Sequence, residues 1–261
     1  MRPYSIWDDP KALRPGNANP VILVIALVIA SIMALTVAIG VFVFRGQNVT
    51  PASDQTQSKN NLKQIGIAFH NYHDVHSTLP PASIVKVPEG STDVTQGTAQ
   101  HGWMTSMLPY VDQGALYERV DFHEPWTSAA NRKNFQLPVP AYIRPDLEPM
   151  TKGLGAAHYS ANSQLLSPNG RMRFRDVTDG LSNVLMSGEV SKGIVPWGST
   201  DTTRDPANGV GPGPNQFSGA DPEFAQFVLG DGAVRRISAQ VDPKIMRQLS
   251  DPADGEAIGS F

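Results

Sequence analysis

The stretch Val21 to Phe44, VILVIALVIASIMALTVAIGVFVF, constrains this chain most: 24 residues without a charge. At about 1.5 Å rise per residue, a helix of that length is roughly 36 Å long, enough to cross a hydrocarbon core of about 30 Å with some tilt. A helix buried in a soluble core rarely runs this far without a polar face. A secretory h-region is only about 7–15 residues long and leads into a small-residue cleavage site. This run instead ends in Phe42-Val43-Phe44-Arg45. The expectation is an uncleaved, single-pass anchor whose partner is the lipid bilayer. Arg2, Lys11 and Arg14 flank it on one side and Arg45 on the other. That asymmetry places the N-terminus in the cytoplasm and the bulk of the chain outside the cytoplasmic membrane.

The predicted organisation is a tail over 1–20, the anchor over 21–44, a polar hinge over 45–57 and an extracytoplasmic domain over 58–261. The tail carries four prolines and reads as disordered. Gly46 and Pro51 argue for the hinge. The chain has a net charge of -3, only 17% charged residues, and 23 Gly and 22 Pro. These values disfavour nucleic acid as a partner and favour a loop-rich domain. Cysteine is absent, so no disulfide, thiolate nucleophile or Cys–metal site is available.

Ser58 to Val75 reads SKNNLKQIGIAFHNYHDV. Leu62, Ile65, Phe69 and Tyr72, flanked by Ala68 and Val75, recur at three and four residues and predict one amphipathic helix, with Ser58 as N-cap and Pro80-Pro81 as its stop. Short helices are expected around 103–117, broken near Pro109. Strands are expected at 83–87, 156–162, 171–175 and 184–189. Phe224–Leu229 and Val234–Ser238 around Asp231-Gly232 give a hairpin. A last helix starts at Asp242-Pro243. Loops fill 121–150 and 198–223.

Chemistry-bearing residues are few. His70, His73 and His76 lie at three-residue spacing beside Asp74, a pattern that could reach one metal. Their positions also drift around the helix by about 60° per step. Asp176, Asp179, Asp201 and Asp231 invite a calcium reading, yet none has the spacing of an EF-hand loop. Asp in Asp-Gly turns commonly bonds its own backbone. No G-x-S-x-G, H-E-x-x-H, P-loop or G-x-G-x-x-G motif is present. The expectation is therefore no catalytic residue, no cofactor and no assigned metal site; His70, His73, Asp74, Asp176, Asp179 and Asp231 are the metal-ligand candidates to inspect.

Asn60-Asn61-Leu62-Lys63-Gln64-Ile65-Gly66-Ile67-Ala68-Phe69-His70-Asn71-Tyr72-His73-Asp74, closing at Leu79-Pro80-Pro81, resembles the signature of a bacterial pilin-like (pseudopilin-like) family of unknown function, expanded in planctomycetes. Three later blocks agree in order: Gly102-Trp103 to Tyr117, Arg175 to Asn183 with Gly188-Glu189, and Asp231 to Asp242-Pro243. The resemblance implies an α+β fold, an N-terminal helix packed on a small antiparallel sheet. The chain departs from that family's leader, with Gly16 followed by Asn17 and Val21 where a Glu belongs, and from its cysteine positions, with Ile143 before Arg144-Pro145-Asp146 where a Cys-Pro-Ser-Asp is common.

Three functions are open on these grounds. The first is a membrane-anchored, non-enzymatic envelope protein in structure, adhesion or secretion, with other envelope or secretion components as partners. The second is a ligand-binding module for glycan or calcium, with Trp103, Trp126, Trp197 and Tyr142 available to stack on sugars or to fill a core. The third is a hydrolase built on His73 and a nearby carboxylate.

Overall fold

The computed structural model describes residues 51–259 and 261. The anchor expected over 21–44 and the tail before it lie outside the described residues. Among the described residues, no helix is long and apolar enough to cross a membrane.

Among the described residues the first element is a 26-residue helix, α1 (Pro51–His76). Of the hinge expected over 45–57, residues 51–57 are helical instead, and 45–50 lie outside the described residues. Pro51 is the first described residue of α1, and the first turn of a helix tolerates its missing N–H. Ser58 is thus not an N-cap but an interior residue, and it is buried. The predicted stripe is otherwise found: Leu62, Ile65, Ala68 and Phe69 are fully buried, and Tyr72 packs on the same core. Val75 departs from it, 66% exposed together with Ile67 at 60%.

Ten strands follow. β1 (Ser83–Lys86) and β2 (Thr98–Gly102) pair antiparallel. β3 (Met150–Thr151), β4 (Leu154–Ala157) and β7 (Val195–Pro196) form a three-stranded sheet. The main sheet has five strands in the order β10-β9-β6-β5-β8, built from β5 (Tyr159–Asn162), β6 (Leu185–Glu189), β8 (Thr203–Arg204), β9 (Phe224–Leu229) and β10 (Val234–Ser238). The chain is α+β, as expected, but the sheet is not purely antiparallel: β8 runs parallel to β5. The strand expected at 171–175 is absent. Its place is taken by a 3-10 turn at Phe174–Asp176, closed by the Asp176 carboxylate on the Arg173 backbone N–H at 2.9 Å. Local side-chain bonding of this kind competes with strand pairing.

The β9–β10 hairpin forms as predicted, with Val228 opposite Val234. Gly232, at φ 84°, supplies the left-handed residue of its three-residue loop. Four short helices complete the chain: α2 (Trp103–Ser106), α3 (Gly114–Tyr117), α4 (Arg132–Phe135) and α5 (Pro243–Ser250). The last is capped by Asp242, whose side chain accepts from the Lys244 N–H at 2.8 Å.

Alternation along β9 divides the core. Val228 belongs to the cluster under α1, with Trp103, Tyr142 and Trp197. Ala225, Phe227 and Leu229 belong to a second cluster, with Phe217, Met246 and Leu249 of α5. Successive side chains of a strand point to opposite faces, so α1 covers one face of the sheet and α5 the other. Gly66 lets α1 approach β9 closely: a Cβ there would lie 2.7 Å from a Val228 methyl.

Candidate functional site

The polar centre of the domain sits where the N-terminal half of α1 crosses the sheet. Ser58 of α1 and Glu189 at the end of β6 are both buried. The Ser58 hydroxyl donates to Glu189 Oε1 and also meets the Tyr159 hydroxyl of β5 at 2.9 Å. One turn on, Asn61 donates its amide to the Ile143 carbonyl at 2.8 Å and to Tyr159 at 3.3 Å. Gln226 of β9 closes the ring. Its backbone N–H donates to Glu189 Oε2 at 2.8 Å, and its side-chain amide donates to Glu189 Oε1 at 3.3 Å and to the Gln55 carbonyl of α1 at 3.0 Å.

Arg144 is buried beside this ring. Its Nε lies 4.0 Å from Glu189 Oε1, and its fork grips Asp146 at 2.6 and 3.1 Å. A third donor, Nη1, reaches the Ser218 carbonyl at 2.9 Å. Bidentate Arg–carboxylate pairs combine charge with fixed geometry. The Arg144 backbone N–H donates to His158 Nδ1 at 3.1 Å. With Nδ1 an acceptor, the neutral ring carries its proton on Nε2. Burial, and then the Arg144 charge, push the His158 pKa down to about 4. Burial also pushes the Tyr159 phenol above its ordinary value.

Every oxygen of Glu189 and each nitrogen of the Arg144 fork therefore has a partner in the fold. A small cleft of about 50 Å³ opens next to Glu189, Gln226 and Asp221, with room for water rather than a substrate. The arrangement fastens α1 to β5, β6 and β9 through hydrogen bonds that work only in one register. Sequence reasoning met Arg144 and Glu189 only as members of motif blocks, and His158 only as part of a strand. Their meeting joins residues distant along the chain, which no local spacing encodes.

The histidine row is dispersed. His70 Nε2 faces the Gly230 carbonyl at 2.8 Å, His73 Nε2 faces the Phe174 N–H at 3.4 Å, and His76 Nε2 faces the Tyr110 hydroxyl at 3.0 Å. His70 and His73 both lie against the Phe174 ring, with centroids 4.5 Å away. Asp74 is exposed on α1. Among the described residues, no group of three or more metal-ligating side chains converges.

The aspartates are likewise apart. Asp176 pairs with Arg173 at 3.0 Å. Asp179 accepts from the Asp254 and Gly255 N–H groups at 2.8 and 3.0 Å, which holds the C-terminal segment. Asp231 accepts from the Ala233 N–H at 2.9 Å, inside the hairpin loop. Three of the four aromatics considered for sugar stacking are core: Trp103, Trp197 and Tyr142 are buried, and Trp126 packs partly buried against the same cluster.

A family model described as a protein of unknown function (SBP_bac_10, DUF1559) matches residues 47–163. The match covers α1, β1 to β5 and the Arg144–Asp146 pair, and it ends before Glu189. No curated protein and no solved structure matches the chain.

Proposed function

We propose that this chain is a membrane-anchored, non-enzymatic envelope protein that presents a pilin-like domain outside the cytoplasmic membrane, in a structural, adhesive or secretion-associated role. The observation that carries the reading is the seating of α1. This helix opens at Pro51, shortly after the apolar run that ends at Phe44. It lies along one face of the main sheet and is keyed there by Ser58, Asn61 and the Gln55 carbonyl. A helix bonded near its start to three strands gives the domain a firm attachment at the end that follows the apolar run.

The titratable groups support a non-enzymatic role in the same way. Glu189, Arg144 and Asp179 spend their hydrogen-bonding capacity on backbone and side chains of the fold. The three histidines of α1 each serve a different neighbour. Fractionation tests the proposal. Membranes washed in alkaline carbonate should retain the protein, and detergent should release it. Release by carbonate or by salt would remove the anchor from the account.

A further inference from the structure

At the far end of α1 from the polar ring, a groove of about 440 Å³ runs between the helix and the segment around Arg171. This is within the range of about 300–1,000 Å³ typical of small-ligand sites. It is lined by Tyr72, His76 and Thr78 on one side and by Asn169 and Arg171 on the other, and none of its lining residues is acidic. From these residues we propose that the groove is a binding site for an acidic sugar, a carboxylated pyranose at the end or in the run of an oligosaccharide.

Two features meet there. The first is an aromatic wall. The Tyr72 and His76 rings have centroids 4.2 Å apart and planes inclined by 33°. Tyr110 holds the pair in place, edge-on to Tyr72 at 5.7 Å and bonded to His76 at 3.0 Å. The electron-rich face of such a ring attracts the weakly positive C–H face of a pyranose. The second is a cation. Arg171 is exposed and has no carboxylate partner among the described residues, whereas Arg173 and Arg175 share Asp176 nearby. A guanidinium left unpaired presents its fork to a planar carboxylate.

The walls are fixed before any ligand arrives. Asn169 exchanges two hydrogen bonds with Val85, at 2.8 and 2.9 Å, and the Leu79 N–H donates to the Met172 carbonyl at 2.7 Å. Preorganisation of this kind lowers the entropic cost of binding. The site needs only the outer domain, so it stands or falls separately from the membrane anchor.

Calorimetric titration of the full chain in detergent with oligogalacturonate tests it, with a neutral cello-oligosaccharide and a hexaglutamate peptide as comparisons. Oligogalacturonate should bind more tightly than either. Arg171→Gln should weaken it by about tenfold or more, and Arg171→Lys by less, because the charge stays and the fork goes. His76→Ala should also weaken binding. Both side chains are exposed, so an unchanged melting temperature will show that the fold is kept. No binding at millimolar oligogalacturonate, equal affinity in Arg171→Gln, or hexaglutamate binding as tightly would each overturn the proposal, the last by identifying an acidic peptide as the occupant.

Discussion

Ser58 and Glu189 lie 131 residues apart in sequence, yet the serine hydroxyl donates to the buried glutamate carboxylate where α1 crosses β6. Neither residue is part of an apolar pattern, and together they fix where the helix stops sliding along the sheet. An apolar stripe tolerates small shifts of register, whereas a buried carboxylate tolerates none without losing a donor.

Removal of either partner is expected to be costly, and unequally so. Ser58→Ala leaves Glu189 with both Gln226 donors and should cost about 1–3 kcal/mol. Glu189→Ala strips the acceptor from Ser58 and Gln226 and leaves Asp146 as the one carboxylate beside the buried Arg144. It should cost about 3–5 kcal/mol. Urea unfolding of the two variants decides, and a smaller loss for Glu189→Ala than for Ser58→Ala would contradict the network.

Gly66 sets two effects against each other. Replacing a helix glycine by alanine gains about 1 kcal/mol of propensity. Here the new Cβ would meet a Val228 methyl at 2.7 Å, and overpacking of a core costs about 1–3 kcal/mol. The expected result for Gly66→Ala is a net loss, with α1 pushed away from β9. In Gly66→Ala/Val228→Ala the two changes should cost less together than the sum of each alone. Strict additivity in a double-mutant cycle would place the helix elsewhere.

His158 gives the stability a pH dependence. Its folded pKa, about 4, lies below the ordinary 6.5. Below pH 6.5 the unfolded chain takes up a proton that the folded chain refuses, so stability is complete above 6.5 and falls as the pH drops towards 4. The loss should be roughly 3 kcal/mol across that window. His101, held down by burial, acts in the same direction. Unfolding curves at pH 7 and 4.5 should show a smaller difference for His158→Gln than for the unaltered protein. An equal difference in both would assign the effect to other groups.

The Asp176, Asp179 and Asp231 carboxylates have structural partners, so chelation is expected to leave the melting temperature where it is. Asp179→Ala should instead free the backbone at Asp254 and Gly255, at a cost of about 1 kcal/mol, and make the C-terminus the first site cut in limited proteolysis. A fall in melting temperature on adding EDTA would restore a metal to the account.

Local chemistry made much of this fold legible in sequence. The stripe from Leu62 to Phe69, the Asp231-Gly232 hairpin and the Asp242 cap each depend on residues close in the chain. The errors share a cause. Pro51 reads locally as a breaker, yet the first turn of a helix accepts it, and Ser58 reads as a cap, yet a partner in β6 claims its hydroxyl. The 171–175 run has strand-like alternation, but Asp176 folds it back onto Arg173. The polar ring was not legible, because Ser58, Arg144, Tyr159, Glu189 and Gln226 carry no motif until the sheet assembles them. The groove carries no sequence signal for the same reason: Tyr72 reads as core and Arg171 as surface, and only the fold sets one beside the other.

Residues 21–44 are proposed to hold the sheet-bearing domain to the membrane. The most direct test is the intact mass of the protein purified from membranes, with its N-terminal peptide mapped. The account predicts a chain that retains residues 21–44 and a domain cut by protease added outside the cytoplasmic membrane. A mature chain that starts beyond Phe44, or a domain shielded from external protease, would contradict it.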